Sequence, residues 1–471
     1  MTGFFSRGGI RLPLRHEVGE RDGVRWRSGF QGHEVPGFAG WKQFVLAFLF
    51  ACLQISAQAQ TNFLAATDFS DLAFFESRSV VYKDAGQPED ALQILKKHGF
   101  NCIRLRLWTS SADQAAADPY NFGNNLDYTV PLAVRVKNAG LQFSLDFHYS
   151  DTWADPGKQA TPSAWANLNF AQLVAQMRSY NSNTIATFAA AGAMPDFVQV
   201  GNEITGGMLW PSGKISGSSG WPNLAQLMKS AVQGIQDAVN ALGVKMPKII
   251  VHIDRGGDWP TTKLFFDNLN AQGVPYDIIG ESYYPFFHGP LTNLNTCLSN
   301  AAVRYGKPVI VAESAFPWTN SVRSWTNKLY GFAPTVDGQV SFLAALARIV
   351  KSVPNHLCTG VFYWGAEYQL VSGVNEAGFN TTALFDSHGN LLPAADALAG
   401  MAAPLVIHPS ISGSNLQLEW PFSGAASELE TSPTPAGNWF SLPNTASITG
   451  TMFSLTLPLS NDSVFYRLQS P

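Results

Sequence analysis

The stretch Phe197-Val198-Gln199-Val200-Gly201-Asn202-Glu203, continued by Ile204-Thr205-Gly206-Gly207-Met208-Leu209-Trp210-Pro211, decides how the chain is read. An apolar run ends in a carboxamide and a carboxylate, then breaks at a glycine pair and a tryptophan. Apolar strands that finish in such side chains read as working strand ends rather than surface, and strand ends are where parallel barrels keep their chemistry. Taken alone, Glu203 could equally cap the following turn or pair with a nearby base, because Asn and Glu are common there. The flanking sequence has to decide.

Working outward, apolar strands alternate with helical stretches from about residue 62 to about residue 400, the pattern of βα units around a parallel sheet. The strands read as Phe63 to Asp68, Cys102 to Trp108, Leu141 to His148, Phe197 to Glu203, Lys248 to Ile253, Asp277 to Tyr284, Val309 to Glu313 and Gly360 to Trp364. Eight such units predict a TIM (β/α)8 barrel, an α/β fold. A doubly wound sheet is the competitor, but no Gly-rich phosphate loop follows the first strand. Gln87-Pro88-Glu89-Asp90 leads a helix with His98-Gly99 as its stop, and Leu126 to Asn138, Leu224 to Leu242 and Val340 to Val350 carry helical periodicity.

Past Ala403 the composition shifts, and only Glu419, Glu428, Glu430, Asp462 and Arg467 are charged. Leu416, Leu418 and Trp420 alternate there, as do Phe453, Leu455 and Leu457, then Val464, Tyr466 and Leu468, which predicts a small all-β, sandwich-like module over 403–471. Spacing or packing is its simplest role, with surface attachment and glycan binding as alternatives. At the other end, Trp41-Lys42-Gln43, the apolar run Phe44 to Ala51 and Ala57-Gln58-Ala59 have the order of a secretory signal, cleaved after Ala59. The apolar run is too short to span a bilayer. Lipidation at Cys52 ranks second, because Phe50 is bulky for it. Residues 1–40 form an Arg-rich and Gly-rich leader ahead of a signal that is complete without it, as an extended leader or a mis-assigned start would leave. The barrel is then expected over 60–402, in a secreted or periplasmic protein.

Without residues 1–59 the chain carries 23 basic and 30 acidic residues, a net of −7, which argues against nucleic acid and other polyanions as partners. Cys102, Cys297 and Cys358 remain, neither at metal-ligand spacing nor an even set. Cys102 reads as a buried free thiol, while a bridge between Cys297 and Cys358 stays open.

Alternation within strands locates the chemistry. Ile103, Leu105 and Leu107 share one face of the second strand, and Arg104, Arg106 and Trp108 share the other. With the aliphatic face against the helices, two guanidinium groups enter the barrel and need carboxylate partners. Ser144, Asp146 and His148 share the polar face of the third strand. Val309-Ile310-Val311-Ala312-Glu313 places a second carboxylate at the end of the seventh. Strands four and seven face one another across a barrel mouth, so Glu203 and Glu313 converge. Two facing carboxyls among arginine, histidine and tryptophans, with no metal or nucleotide motif, point to glycoside hydrolysis, one carboxyl donating a proton and the other ionised.

Asp146-Phe147-His148-Tyr149-Ser150-Asp151-Thr152-Trp153-Ala154-Asp155-Pro156, Gly201-Asn202-Glu203 with Leu209-Trp210-Pro211, and Glu313 with Pro317-Trp318 closely resemble the endo-β-1,4-galactanases of glycoside hydrolase family 53. Ile103-Arg104-Leu105-Arg106-Leu107-Trp108 and Gly86-Gln87-Pro88-Glu89 match as well. The resemblance covers about residues 62 to 400. It implies Glu203 as acid/base, Glu313 as nucleophile and retention of anomeric configuration, in a monomer acting on β-1,4-galactan without a cofactor. It also implies that Arg104 keeps Glu313 ionised with Tyr284 beside it, and that Asn202 holds the sugar 2-hydroxyl or the nucleophile. Asp146, His148, Trp153, Asp254, Trp259, Ser282, Trp318 and Trp364 are the remaining substrate-site positions it implies. Because Asn202 and Glu203 would point to opposite faces of a regular strand, the strand must end or bulge there.

The chain departs from the family pattern in four places. The first strand ends Ala66-Thr67-Asp68-Phe69-Ser70, Glu281 stands where an apolar residue is usual, Arg255 follows Asp254, and Phe316 replaces a common Tyr. Glu281 would alter the mouth if it faced inward. Members with calcium carry an acidic loop after strand seven, and Thr319 to Phe332 contains no Asp or Glu, so no metal is expected there. A β-mannanase or cellulase of the same clan, and a catalytically silent glycan-binding protein, are the alternative readings.

Overall fold

Eight parallel strands of four to six residues close on themselves in the computed structural model, which describes residues 63–118, 123–320, 328–372, 378–443, 446–460 and 462–469. The leader, the signal with its cleavage point, Cys52 and the middle of the expected calcium-free loop (321–327) lie outside the described residues. The strands are β1 Leu64–Asp68, β2 Cys102–Leu107, β3 Gln142–Phe147, β4 Phe197–Val200, β5 Lys248–Ile253, β6 Ile278–Ser282, β7 Val309–Ser314 and β8 Cys358–Tyr363. β1 pairs with both β2 and β8, which closes the barrel. Between the strands run α1 Ala91–Lys97, α2 Leu126–Asn138, α3 Phe170–Ala190, α4 Trp221–Leu242, α5 Trp259–Ala271, α6 Leu291–Tyr305, α7 Val336–Ser352 and, after β8, α8 Pro393–Ala399.

Every residue of β2 and β7 is buried, as expected of strands covered on both faces. One face of each strand joins the large apolar cluster under the helices. The other fills the barrel in two layers. Leu64, Ala66, Cys102, Ile250, Ile278, Ile310, Ala312 and Phe362 form an apolar floor. Two residues further along their strands, Asp68, Arg104 and His252, with Ser282 four residues beyond Ile278 and Asp146 and Gln199 of the neighbouring strands, make a buried polar layer at the carboxyl end.

Helix starts follow their caps. Asp90 accepts from the backbone of Leu92 and Gln93, Asn125 from Tyr128, and Thr335 from Gly338. α4 and α7 therefore begin ahead of the periodic residues Leu224 and Val340, because Pro222 sits in the first turn of one and Thr335 caps the other. α3 was not singled out by periodicity, since polar Asn181 and Thr184 occupy its buried stripe; Asn181 accepts there from the Tyr149 hydroxyl at 2.8 Å.

Beyond α8, β9 His408–Ser412, β10 Asn415–Pro421, β11 Glu428–Ser432, β12 Phe440–Ser441, β13 Ser447–Thr449, β14 Met452–Pro458 and β15 Phe465–Gln469 form two antiparallel sheets, ordered β9-β10-β14-β13 and β12-β11-β15. Leu418, Trp420, Phe422, Leu429 and Phe453 are buried and belong to the same apolar cluster as the barrel helices. Ser423 N donates to Gly400 O at 2.8 Å, and the Arg348 guanidinium of α7 lies 4.5 Å from the Phe453 ring centre. Cys297 and Cys358, whose pairing the sequence left open, are both free and buried, as is Cys102.

Candidate active site

β4 stops at Val200, and the backbone then turns through two left-handed residues, Gly201 at φ +88° and Glu203 at φ 48°, ψ 48°. A side chain at 201 would put its Cβ 2.6 Å from Ile204 Cγ2, so the glycine is required sterically as well as conformationally. A left-handed glutamate costs about 1–2 kcal/mol. Of the two expected ways to bring Asn202 and Glu203 to one site, the strand ends rather than bulges. Glu313 is delivered differently: β7 shifts register against both neighbours next to Ala312, and the extra residue turns Glu313 toward the mouth after Ala312 has already faced the barrel floor.

A carboxylate oxygen of Glu203, one of Glu313 and a ring nitrogen of His252 all lie within 4.8 Å of one another. Glu313 accepts from Arg104 Nη2 at 2.5 Å and from the Tyr284 hydroxyl at 2.9 Å. The same guanidinium meets Asp68 at 3.1 Å and Asp146 at 3.2 Å, and donates to Ala312 O at 2.8 Å. Burial raises the Glu313 carboxyl, and Arg104 and Tyr284 pull it back. Burial raises Glu203 much further, because the charges of Glu313 and Asp254 add to it. Of the coupled pair, Glu203 holds the proton and Glu313 the charge.

Hydrogen bonding around Glu203 agrees. Asn202 Nδ2 donates to Ala154 O at 2.9 Å, so its Oδ1 is the acceptor for Gln199 Nε2 at 3.1 Å and for His252 Nδ1 at 3.0 Å. Burial first, and then Arg104, hold His252 neutral, which leaves Nε2 without a proton and 2.8 Å from Ser282 Oγ. Ser282 Oγ is also 2.6 Å from Glu203 Oε1. With Glu203 ionised, the Ser282 hydroxyl donates to it and His252 Nε2 goes without a donor. A proton on Glu203 frees that hydroxyl to turn to the imidazole, and every group is then satisfied.

The second arginine serves the aromatic wall. Arg106 binds Asp71 and Asn124, and its guanidinium lies 4.0 Å from the Trp153 ring centre and 5.2 Å from that of Trp364. Trp153 packs edge-on against Trp108 at 5.3 Å and Trp364 at 5.7 Å. Trp318 is half-buried, its backbone N–H donating to Thr381 O at 3.0 Å and its indole N–H to Asn380 O at 3.4 Å. Asp254 accepts from Thr205 Oγ1 at 2.5 Å and meets Arg255 Nη1 at 3.3 Å.

Arg104, Asp146, His148 and Ser282 are at most 1% exposed. Arg104 and Ser282 bond the two glutamates directly, as expected of Arg104, and Asp146 lies against both Arg104 and His148. His148 Nδ1 accepts from Ala154 N at 3.0 Å, and Nε2 faces Asp146 at 3.2 Å. Asn202 is 5% exposed and engaged as described. Trp259 begins α5 and packs partly into the outer core. Glu281 faces the helices, bonded to Thr262 and the Arg255 backbone, so it does not enter the mouth. Phe316 is core, stacked on Phe342 at 4.7 Å. Sequence reading missed Gln199 and His252. Extending the two-residue alternation to β5 places His252 on the barrel face with Ile250 and would have found it.

Residues 64–398 match the model of the family described as Glycosyl hydrolase family 53. A probable arabinogalactan endo-beta-1,4-galactanase A of Neosartorya fischeri is 36% identical over 332 residues, 68% of this chain and 89% of the relative. The GH53 catalytic domain of Ignisphaera aggregans superposes with a TM-score of 0.66 at 32% identity, over 72% of this chain and 95% of that one. A structure from a study of two fungal beta-1,4-galactanases gives a TM-score of 0.62 at 32% identity, over 71% of this chain and 98% of the other. The fold, the paired carboxyls and these matches agree: the chain is a glycoside hydrolase and belongs to family 53.

Proposed function

We propose that the protein is a retaining endo-β-1,4-galactanase that cleaves galactan side chains of pectin, type I arabinogalactan, with Glu203 as acid/base and Glu313 as nucleophile. The observation that carries the reading is the spacing of the two carboxyls, with oxygens within 4.8 Å and opposite charge preferences. Retaining enzymes hold their carboxyls about 5–5.5 Å apart, and inverting ones leave room for a water between. In the first step Glu313 attacks the anomeric carbon while Glu203 gives its proton to the departing glycosidic oxygen. A glycosyl ester on Glu313 forms, and the glycosidic C–O bond breaks. Glu203, now ionised, takes a proton from water, whose oxygen displaces Glu313 and restores both groups. Trp153, Trp318 and Trp364 supply flat apolar faces for sugar rings, and the protein acts as a secreted monomer. No helix among the described residues is long and apolar enough to cross a membrane.

Reducing-sugar release from linear β-1,4-galactan, compared with mannan and carboxymethylcellulose, tests the substrate. Activity on mannan alone would refute galactan. Proton NMR of the first product should show the β-anomer before mutarotation. E203Q and E313Q should each lower kcat by about 10²–10⁴-fold or more while sparing binding, and unchanged turnover in E313Q would remove it as nucleophile.

A further inference from the structure

A buried carboxyl outside the reacting pair grips the loop that carries Asp254. Glu281 lies on the helix-facing side of β6 with no exposed surface. One oxygen accepts from Arg255 N at 3.1 Å, and the other is 2.9 Å from Thr262 Oγ1 in α5. The Arg255 carbonyl is held from its other side by Asp258 N at 2.8 Å, Thr262 Oγ1 at 3.2 Å and Cys297 Sγ at 3.5 Å. Both ends of this residue's backbone are therefore fastened to β6, α5 and α6. The following glycines leave no slack, since a Cβ on Gly256 would stand 2.7 Å from Ser282 O and one on Gly257 2.0 Å from His288 O. The Arg255 side chain turns back to Asp254, whose other oxygen is fixed by Thr205 two residues after Glu203.

We infer that Glu281 is a positioning residue for catalysis, which fixes the Asp254–Asp258 loop so that the Asp254 carboxylate faces the acid/base Glu203. The inference rests on the assignment of Glu203 as acid/base. The groups that face Glu203 are Glu313 from β7, Asp254 after β5, Arg104 from β2, Ser282 and Tyr284 at the end of β6, and His252 from β5. Asp254 is the one that the Glu281 grip places. Its negative charge helps keep Glu203 protonated, so loss of the grip lets the Glu203 pKa fall. A general acid works below its pKa, and the alkaline limb of the pH profile must then move to lower pH.

The test compares E281L, E281Q and T262V with the wild type on the β-glycan that the wild type cleaves. E281L removes the acceptor for Arg255 N–H, and kcat/KM should fall roughly tenfold, with the alkaline limb about half a pH unit lower. E281Q keeps one acceptor for Arg255 N and one donor for Thr262, and should restore both. T262V should shift the limb in the same direction by less, and it carries the test if E281L does not fold. Folded E281L with wild-type KM and pH profile, or E281Q as impaired as E281L, overturns the role. Because each readout is a ratio to wild type on its working substrate, failure of galactan as that substrate is seen separately.

Discussion

At Glu313 a hydroxyl and a guanidinium share the work of keeping a buried carboxylate charged. The Tyr284 hydroxyl donates to it at 2.9 Å, and this bond favours the ionised form. Y284F removes only that bond, so the Glu313 pKa rises and its carboxyl needs a higher pH to ionise. The acid limb of kcat/KM should move up by about half to one pH unit, with kcat/KM lowered roughly tenfold at the optimum, as a pH-rate profile would show. An unmoved acid limb would assign that limb to another group. The two glutamates were legible in the sequence because each closes an apolar strand. His252 and Gln199 were not, because a lone polar residue in such a strand also fits a satisfied core position. Their partners become neighbours only when the barrel closes, with Ser282 30 residues from His252 and Asp146 53 from Gln199.

Strand ends decide where those side chains go, and the strands that carry Glu203 and Glu313 end by different devices. The sequence stated the first problem and its class of solution, since Asn202 and Glu203 cannot share a regular strand face. It was silent on the extra residue in β7, because a register shift belongs to the pairing of strands and not to any one of them. The turn after Val200 is the more fragile device. G201A would place a Cβ 2.6 Å from Ile204 and demand φ near +88° from an L-residue. It should destabilise the protein by about 1–3 kcal/mol and cut kcat more than it raises KM, because Glu203 is two residues away. Urea unfolding alongside steady-state kinetics measures both, and wild-type values would mean that the turn relaxes freely.

For the molecule as a whole, the C-terminal sheets are continuous with the barrel through one apolar cluster that includes Trp420, Phe422 and Phe453. Ending the chain after Ala403 would uncover the barrel side of that contact. The melting temperature should fall by several degrees, the change expected for about 1–2 kcal/mol in a large domain, while KM on soluble galactan stays within about twofold of wild type. A raised KM with an unchanged melting point would make the sheets a substrate-binding element instead. The alternating residues of this module were visible in sequence, but its seat against α7 was not, since Arg348 and Phe453 are far apart in the chain. The three buried thiols carry a consequence of another kind. Each is sealed from solvent and none is bonded to another sulfur, so among the described residues no covalent cross-link holds the native state. A thiol reductant should therefore leave the melting temperature of the folded protein unchanged, and a drop on its addition would reveal a cross-link.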